Sequence, residues 1–326
     1  MPTSASGATP VIAVLIPCYN EEHAIARVVS DFRTHLPNAE IFVYDNNSSD
    51  NTRRVAADAG AVVRSEPLQG KGCVVRRMFA DVDADIYVLV DGDDTYDASA
   101  APAMAEMLLN ERVDMVVGCR VENDAAAYRP GHRFGNAMLT GAVAFLFGDR
   151  FKDILSGYRV FSRRFVKSFP VFARGFEIEA EITVHALTLQ MPIMEVETAY
   201  RARPEGSVSK LRTYQDGFKI SRMIFNLVRE ERPLFFFAWT SLLFAVVSIV
   251  LAYPLITEYL RTGLVPRFPT AILATGLALL SALSLTCGFV LDTVTRGRRS
   301  TAMLAYLSIP AWTCPSNVRS ANEHFA

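Results

Sequence analysis

A surplus of either charge is what this chain most plainly lacks. Its 33 lysines and arginines offset 34 aspartates and glutamates, for a formal net charge of -1. No broad basic field is therefore available to hold nucleic acid. The five cysteines (Cys18, Cys73, Cys119, Cys287 and Cys314) form no CxxC pair and have no histidine at a zinc-binding spacing. Reduced, structurally inert thiols on a cytosolic face are expected. The opening MPTSASGATP has no basic stretch and no apolar core, which argues against a signal peptide and reads as a disordered lead over 1–10. There is no internal repeat and no low-complexity tract. The most informative deficit lies late in the chain, where 233–257 and 268–291 contain no Asp, Glu, Lys or Arg. About 20 apolar residues cross a bilayer, so two transmembrane helices are expected within 233–292.

Hydrophobic residues make up 51% of the chain and the mean hydropathy is +0.20, high for a wholly soluble protein. Much of that excess belongs to the two uncharged runs. Arg229 and Arg232 precede them, Arg296, Arg298 and Arg299 follow, and the linking loop has only Arg261 and Arg267 with Glu258. This bias puts the first 212 residues and the tail, 293–326, in the cytoplasm at the inner membrane. Segment 213–232 reads as an amphipathic helix that either packs on the core or lies in the membrane interface.

The first half alternates apolar runs with helical periods. VIAVLIP (11–17), EIFVYD (40–45), AVVRSE (61–66), DIYVLVD (85–91) and DMVVGCR (114–120) read as strands. Helical patterns separate them, the first with Asn20 as an N-cap. Further strands fall at 157–161 and 193–200, and helices near 135–147 and over 175–190. Alternation of this kind specifies an α/β fold with a mostly parallel sheet over 11–212. In such sheets ligands bind beyond the carboxyl ends of the strands.

VDGDDTYD, at the end of the fourth strand, crowds Asp91, Asp93, Asp94 and Asp97 together. Like charges this close call for a cation between them. Asp91 and Asp93 supply the hard oxygens that Mg2+ or Mn2+ prefers. An EF-hand is excluded because Tyr96 stands where that loop needs glycine. Asp94 and Asp97 read as turn or cap residues. The neighbouring strand ends add Tyr19 and Glu21 for a flat heterocycle, Asp45 for a base or ribose, and Lys71 in QGKG for a diphosphate. Together these loops describe a cradle for a nucleoside diphosphate.

IPCYNEE, YDNNSSDNT, QGKG, VDGDD and DILSGYR, in that order, resemble family 2 glycosyltransferases of the GT-A (Rossmann-like) fold. The polyprenyl-phosphate glycosyltransferases, of the dolichol-phosphate mannose synthase type, are the most similar subgroup. The resemblance covers 11 to about 230. It implies that Pro17, Tyr19, Asn20, Glu21 and Asp45 bind the base and ribose, and that Lys71 and Asp91 also serve the nucleotide. It makes Asp91 and Asp93 the metal ligands, and Asp93 and Asp153 the catalytic acids. Arg120, Arg133 and Arg203 fall where relatives gather cations around an acceptor phosphate. Ser209 and Lys210 fall in a loop that closes on the substrates. This chain reads DNNS where relatives usually read DDGS, and DGDDTYD where the mannose-transferring branch usually reads DADLQ.

The implied reaction is inverting transfer of a sugar from a nucleoside-diphosphate sugar to undecaprenyl or dolichyl phosphate beside membrane lipid. A phosphate oxygen is already anionic, so Asp153 is expected to orient the acceptor or a cation more than to remove a proton. Two alternatives stand beside it: transfer to a saccharide in cell-surface polysaccharide assembly, and a non-catalytic nucleotide-sugar-binding membrane subunit. Neither tryptophan, Trp239 or Trp312, sits in the QxxRW of processive synthases, which favours single transfer. Whether copies form a homo-oligomer stays open. Arg163 and Arg164 read as a solvated face, and His132 and His185 as structural residues.

Overall fold

The computed structural model describes residues 9–122, 138, 140–141, 143–145, 147–148, 151–175, 177–201, 222 and 224–312. The chain divides into two compact units, Met1–Gly217 with Ala302–Ala326, and Phe218–Thr301.

The first unit is built on a seven-stranded sheet. Its strands are β1 (Ile12–Cys18), β2 (Glu40–Asp45), β3 (Val62–Ser65), β4 (Ile86–Leu89), β5 (Met115–Glu122), β6 (Arg159–Ser162) and β7 (Ile193–Tyr200). Their order across the sheet is β3-β2-β1-β4-β6-β5-β7. β1, β2, β3 and β4 run parallel, as do β5 and β7, whereas β6 is antiparallel to both neighbours. The reversal follows from chain path. Gly157 lies against Asp91 at the carboxyl end of β4, and β6 starts two residues later, so the strand must run back down the sheet.

Helices α1 (Ile25–His35), α2 (Thr52–Asp58), α3 (Lys71–Asp81), α4 (Ala101–Asn110), α5 (Arg163–Ser168) and α6 (Ile178–Thr188) flank the sheet, a 3-10 turn (Ala98–Ala100) precedes α4, and residues 138, 140–141, 143–145 and 147 are also helical. α1 buries Ile25, Val28, Val29 and Phe32, in one cluster with Val14, Ile16 and Val88 of the sheet. Each such side chain contributes roughly 1.5–3 kcal/mol through burial. α1 differs from expectation at its start. It begins at Ile25 after Ala24, with no side-chain cap. Asn20 lies upstream in left-handed backbone with φ of 54°, where its carbonyl Oδ1 accepts from the Ser49 amide at 2.8 Å. The residue is a tie between two strand-end loops instead of an N-cap.

Arg164 also departs from expectation. Asp114 is fully buried and accepts from Arg164 Nη2 at 2.8 Å, Ser162 Oγ at 2.7 Å and the Tyr306 hydroxyl at 2.7 Å. The Arg164 guanidinium also lies 4.8 Å from the Tyr306 ring centroid. A buried carboxylate needs such partners, so Arg164 is part of the packing. Arg163 is the solvated one, paired with Asp83 at 3.0 Å.

The second unit holds most of two long helices, α7 (Pro233–Thr262) and α8 (Phe268–Leu307). Both are long and apolar enough to cross a membrane. α8 continues unbroken past residue 292, and its last residues, from Ala302, belong with the first unit. Ser241, Ser248 and Leu255 on α7, and Ala274, Ser281 and Gly288 on α8, are buried at heptad intervals. The hydroxyls of Ser241 and Ser281 meet at 3.0 Å, and Ser248 Oγ donates to the Ala274 carbonyl at 2.7 Å.

His185, on α6, sits among rings, its centroid 5.6 Å from Phe165 and 5.0 Å from Phe169. Burial pushes its pKa from 6.5 down to about 4. The unfolded chain then binds a proton that the folded chain refuses, so stability is full above 6.5 and declines as pH falls toward 4. We expect His185→Phe to flatten this part of the pH profile, read as the difference in urea midpoint between about pH 7 and about pH 5.

Candidate active site

Four strand-end loops converge at the carboxyl edge of β1, β2 and β4. The loop after β1 carries Tyr19, Asn20 and Glu21, and it is tied to the loop after β2 backbone to side chain. The Asn20 amide donates to Ser48 Oγ at 2.9 Å and the Glu21 amide to Thr52 Oγ1 at 2.8 Å. Tyr19 is 38% exposed, while Glu21 is buried. Pro17 is half-buried within β1. Asp45 closes β2; its Oδ2 accepts from the Ser48 amide at 3.3 Å, and its buried Oδ1 has no hydrogen-bond partner among the described residues. An orphaned acceptor of this kind suits the N–H of a base or a ribose hydroxyl.

Lys71 opens α3, and its ammonium is clamped between two carboxylates. Nζ stands 2.5 Å from Asp91 Oδ1 and in a short hydrogen bond with Glu179 of α6. Burial alone would lower the lysine's pKa, but the charges of Asp91 and Glu179 outweigh it and raise it. Glu179 itself is buried, pushed toward the neutral form by desolvation, with Oε2 unpartnered among the described residues. Lys71, expected at the diphosphate, is thus held on the first acid of the DGD triplet. The other oxygen of Asp91 faces Gly157, where a Cβ would stand only 2.5 Å from Oδ2. Only glycine allows that approach.

Asp93 is buried, with Oδ1 accepting from Thr95 Oγ1 at 2.6 Å. Asp97 caps the following turn, accepting from the Ser99 amide at 3.2 Å and Ser99 Oγ at 2.8 Å. Asp94 does not cap; it takes left-handed backbone with φ of 57° and pairs with Arg27 of α1 at 3.3 Å. Among the described residues no group of three His, Cys, Asp or Glu is gathered closely enough to cage a metal. Two carboxylates at a strand end nonetheless fit Mg2+ or Mn2+, because Mg2+ is commonly held by one or two carboxylates with substrate phosphates and water completing the shell.

Across from these acids, Asp153 is gripped by Arg120 at the end of β5. Nε and Nη2 donate to its two oxygens at 2.7 Å and 2.8 Å. Burial would raise the Asp153 pKa, but the Arg120 hydrogen bonds outweigh it and hold the carboxyl below its usual value. Two groups, the buried Arg159 and the half-buried Glu195, neither singled out by sequence, set this loop. Arg159 donates to the carbonyls of Ser156, at 2.9 Å, and Ile154, at 2.5 Å. Glu195 of β7 accepts from the Lys152 amide at 2.8 Å and the Asp153 amide at 3.5 Å. Glu179 was likewise missed, although three acids at 177, 179 and 181 in an otherwise apolar segment are a usable signal. The Tyr96 hydroxyl, accepting from the Gly157 amide at 2.9 Å, joins this loop to the acid loop. Arg201 ties the end of β7 to the acid loop as well, through its amide on the Thr95 carbonyl at 2.9 Å. Arg133, Arg203, Ser209 and Lys210 lie outside the described residues.

A mostly parallel sheet of this order, with a carboxylate pair at the end of its fourth strand, defines a GT-A-fold protein. Residues 13–169 match the profile of Glycosyl transferase family 2. Over 123 residues the chain is 66% identical to protein RfbJ of Shigella flexneri, spanning 37% of this chain and 95% of that protein. Over 222 residues it is 30% identical to the dolichyl-phosphate hexose transferase of Haloferax volcanii, spanning 68% of this chain and 95% of that enzyme. The fold is shared with glucosyl-3-phosphoglycerate synthase of Mycobacterium tuberculosis, solved with Mn2+, uridine-diphosphate-glucose and phosphoglyceric acid. That likeness has a TM-score of 0.56 at 23% identity and covers 68% of this chain and 79% of the other. The chain belongs to glycosyl transferase family 2.

Breaking the buried Arg120–Asp153 pair from one side strands a charge. Arg120→Met is expected to cost about 3–5 kcal/mol, and adding Asp153→Asn to it should restore part of that loss, both read by chemical denaturation.

Proposed function

We propose that this glycosyltransferase moves a hexose-type sugar from a nucleoside-diphosphate sugar to a polyprenyl phosphate. Active-site chemistry would be cytosolic, with α7 and α8 as the membrane anchor. The observation that carries the reading is the meeting of Asp91 and Asp93 with the Tyr19, Asp45 and Lys71 loops at one sheet edge. The base would stack by Tyr19 and donate to Asp45. Asp91 and Asp93 would hold Mg2+ or Mn2+ at the diphosphate. When bound, that ion supplies neutralisation of the charge that develops on the leaving group. Lys71, kept charged between Asp91 and Glu179, adds a fixed positive group to the same edge.

Asp153 fits an orienting role. Its carboxyl is held acidic by Arg120, which makes it a weak base. A phosphate acceptor needs no strong base, because its oxygen is already anionic, and Arg120 is a cation suited to that oxygen. Attack on the anomeric carbon from the side opposite the diphosphate inverts the centre. The closely related alternative, transfer to a saccharide acceptor, would need a base that deprotonates a hydroxyl, which the clamped Asp153 does not favour.

The test is to incubate purified enzyme with Mn2+ and a set of nucleotide sugars, and to weigh the products formed on undecaprenyl phosphate, dolichyl phosphate and soluble sugars. We expect a lipid-phosphate-linked sugar, and transfer only to soluble sugars would overturn the acceptor reading. Asp93→Asn should lower kcat by at least ~100-fold, about 3 kcal/mol of barrier, with binding of the lipid acceptor little changed. Metal-dependent turnover that survives this substitution would remove Asp93 from the ion.

A further inference from the structure

The segment that delivers Lys71 to Asp91 is an irregular loop, and side-chain amides hold it. Asn46, directly after β2 and 3% exposed, spends all of its amide on this one loop. Its Nδ2 donates to the carbonyls of Glu66 at 2.9 Å and Leu68 at 2.8 Å, while its Oδ1 accepts from the Gly70 amide at 2.7 Å. Asn47, in left-handed backbone with φ of 63°, donates from Nδ2 to the carbonyl between those two, Pro67, at 2.7 Å. Three successive carbonyls are thus captured by two successive asparagines. The loop then reaches Gly70, whose φ of 128° and whose Cβ position, 2.0 Å from the Arg174 carbonyl, admit only glycine. One residue later Lys71 places its ammonium on Asp91.

We propose that Asn46 is a positioning residue for the donor: it fixes the 66–70 loop so that Lys71 arrives at Asp91, and only a side chain that both donates and accepts can do so. This rests on the reading of the strand-end loops as the nucleotide-sugar cradle. Serine is too short to reach three backbone groups. Aspartate has the right shape but no donor, so its second oxygen would face two carbonyl oxygens in a buried place, an arrangement that is repulsive as well as unsatisfied. Asn46→Asp therefore changes donor capacity and charge with almost no change in volume.

The decisive experiment combines steady-state kinetics with deuterium uptake of the free protein. In Asn46→Asp, we expect the KM for the nucleotide sugar to rise at least about tenfold while kcat stays within about threefold, the pattern of lost donor binding. Uptake in the peptide covering 66–72 should rise, and uptake in the β1 and β4 peptides should not. A buried carboxyl facing acceptors is driven to protonate, and the protonated form regains one donor. The ratio of variant to wild-type kcat/KM should consequently climb as pH falls from about 8 to about 6. Asn46→Ala, which removes the donors without adding charge, serves if the aspartate variant folds poorly; it should show the same KM increase with no such climb. Unchanged uptake at 66–72, or a loosened loop with donor KM unchanged, would overturn the proposal. Should wild-type protein bind neither uridine nor guanosine diphosphate with Mn2+, the donor-cradle reading fails and this proposal with it, whereas unchanged uptake alone would sink only the role of Asn46.

Discussion

The ammonium of Lys71 is the group on which the site depends. Asp91 and Glu179 approach one ammonium from opposite elements, a strand end and a helix, and burial pushes Glu179 toward its neutral form. A single cation between them turns mutual repulsion into a hydrogen-bonded bridge. The bridge in turn fixes where α3 begins, how closely α6 packs and which oxygen of Asp91 faces Gly157. A carboxylate pre-set in this way loses little by reorganising when a multivalent ligand arrives.

The strand-end loops divide their work between contact and support. Tyr19, Asp45, Asp91 and Asp93 are the groups proposed to meet a ligand, whereas Asn20, Asn46, Glu195 and Arg159 spend hydrogen bonds on backbone. Supporting groups of this kind are polar and near the site, so they resemble ligands in a sequence. Only their partners tell the two kinds apart. Asn46 is the clearest case, because the amide that departs from the common acidic motif is occupied by the loop beside it.

Much of the parallel half was legible because both-face burial leaves a plain mark. IAVLIPC, EIFVYD and IYVL are nearly continuous apolar runs, and each falls within a residue or two of where its pattern placed it. The direction of β6 was not legible, since an antiparallel strand buried on both faces has the same composition as a parallel one. Asn20 misled for a related reason: an asparagine ahead of a helical period satisfies the sequence rule for a cap, but the chain inserts an extra turn before Ile25. The acids of DGDD drew notice through mutual repulsion and their place at a strand end, while Glu179 meets Lys71 across 108 positions that no local window spans. Arg164 looked solvated beside Arg163, and it is the buried Asp114, fifty positions away, that draws it inward.

The seam between α7 and α8 has a consequence for the solvent in which it can persist. Ordinary helix pairs are squeezed together by water leaving their apolar faces, a force that vanishes in hydrocarbon. Here, beside Leu255, the contacts include serine hydroxyls, alanine and glycine, which gain from close backbone approach and from hydroxyl pairing whatever surrounds them. The hairpin is therefore a joint whose cohesion survives transfer from an aqueous surface into oil, and its outward leucines, valines and phenylalanines are left to match whichever medium they meet.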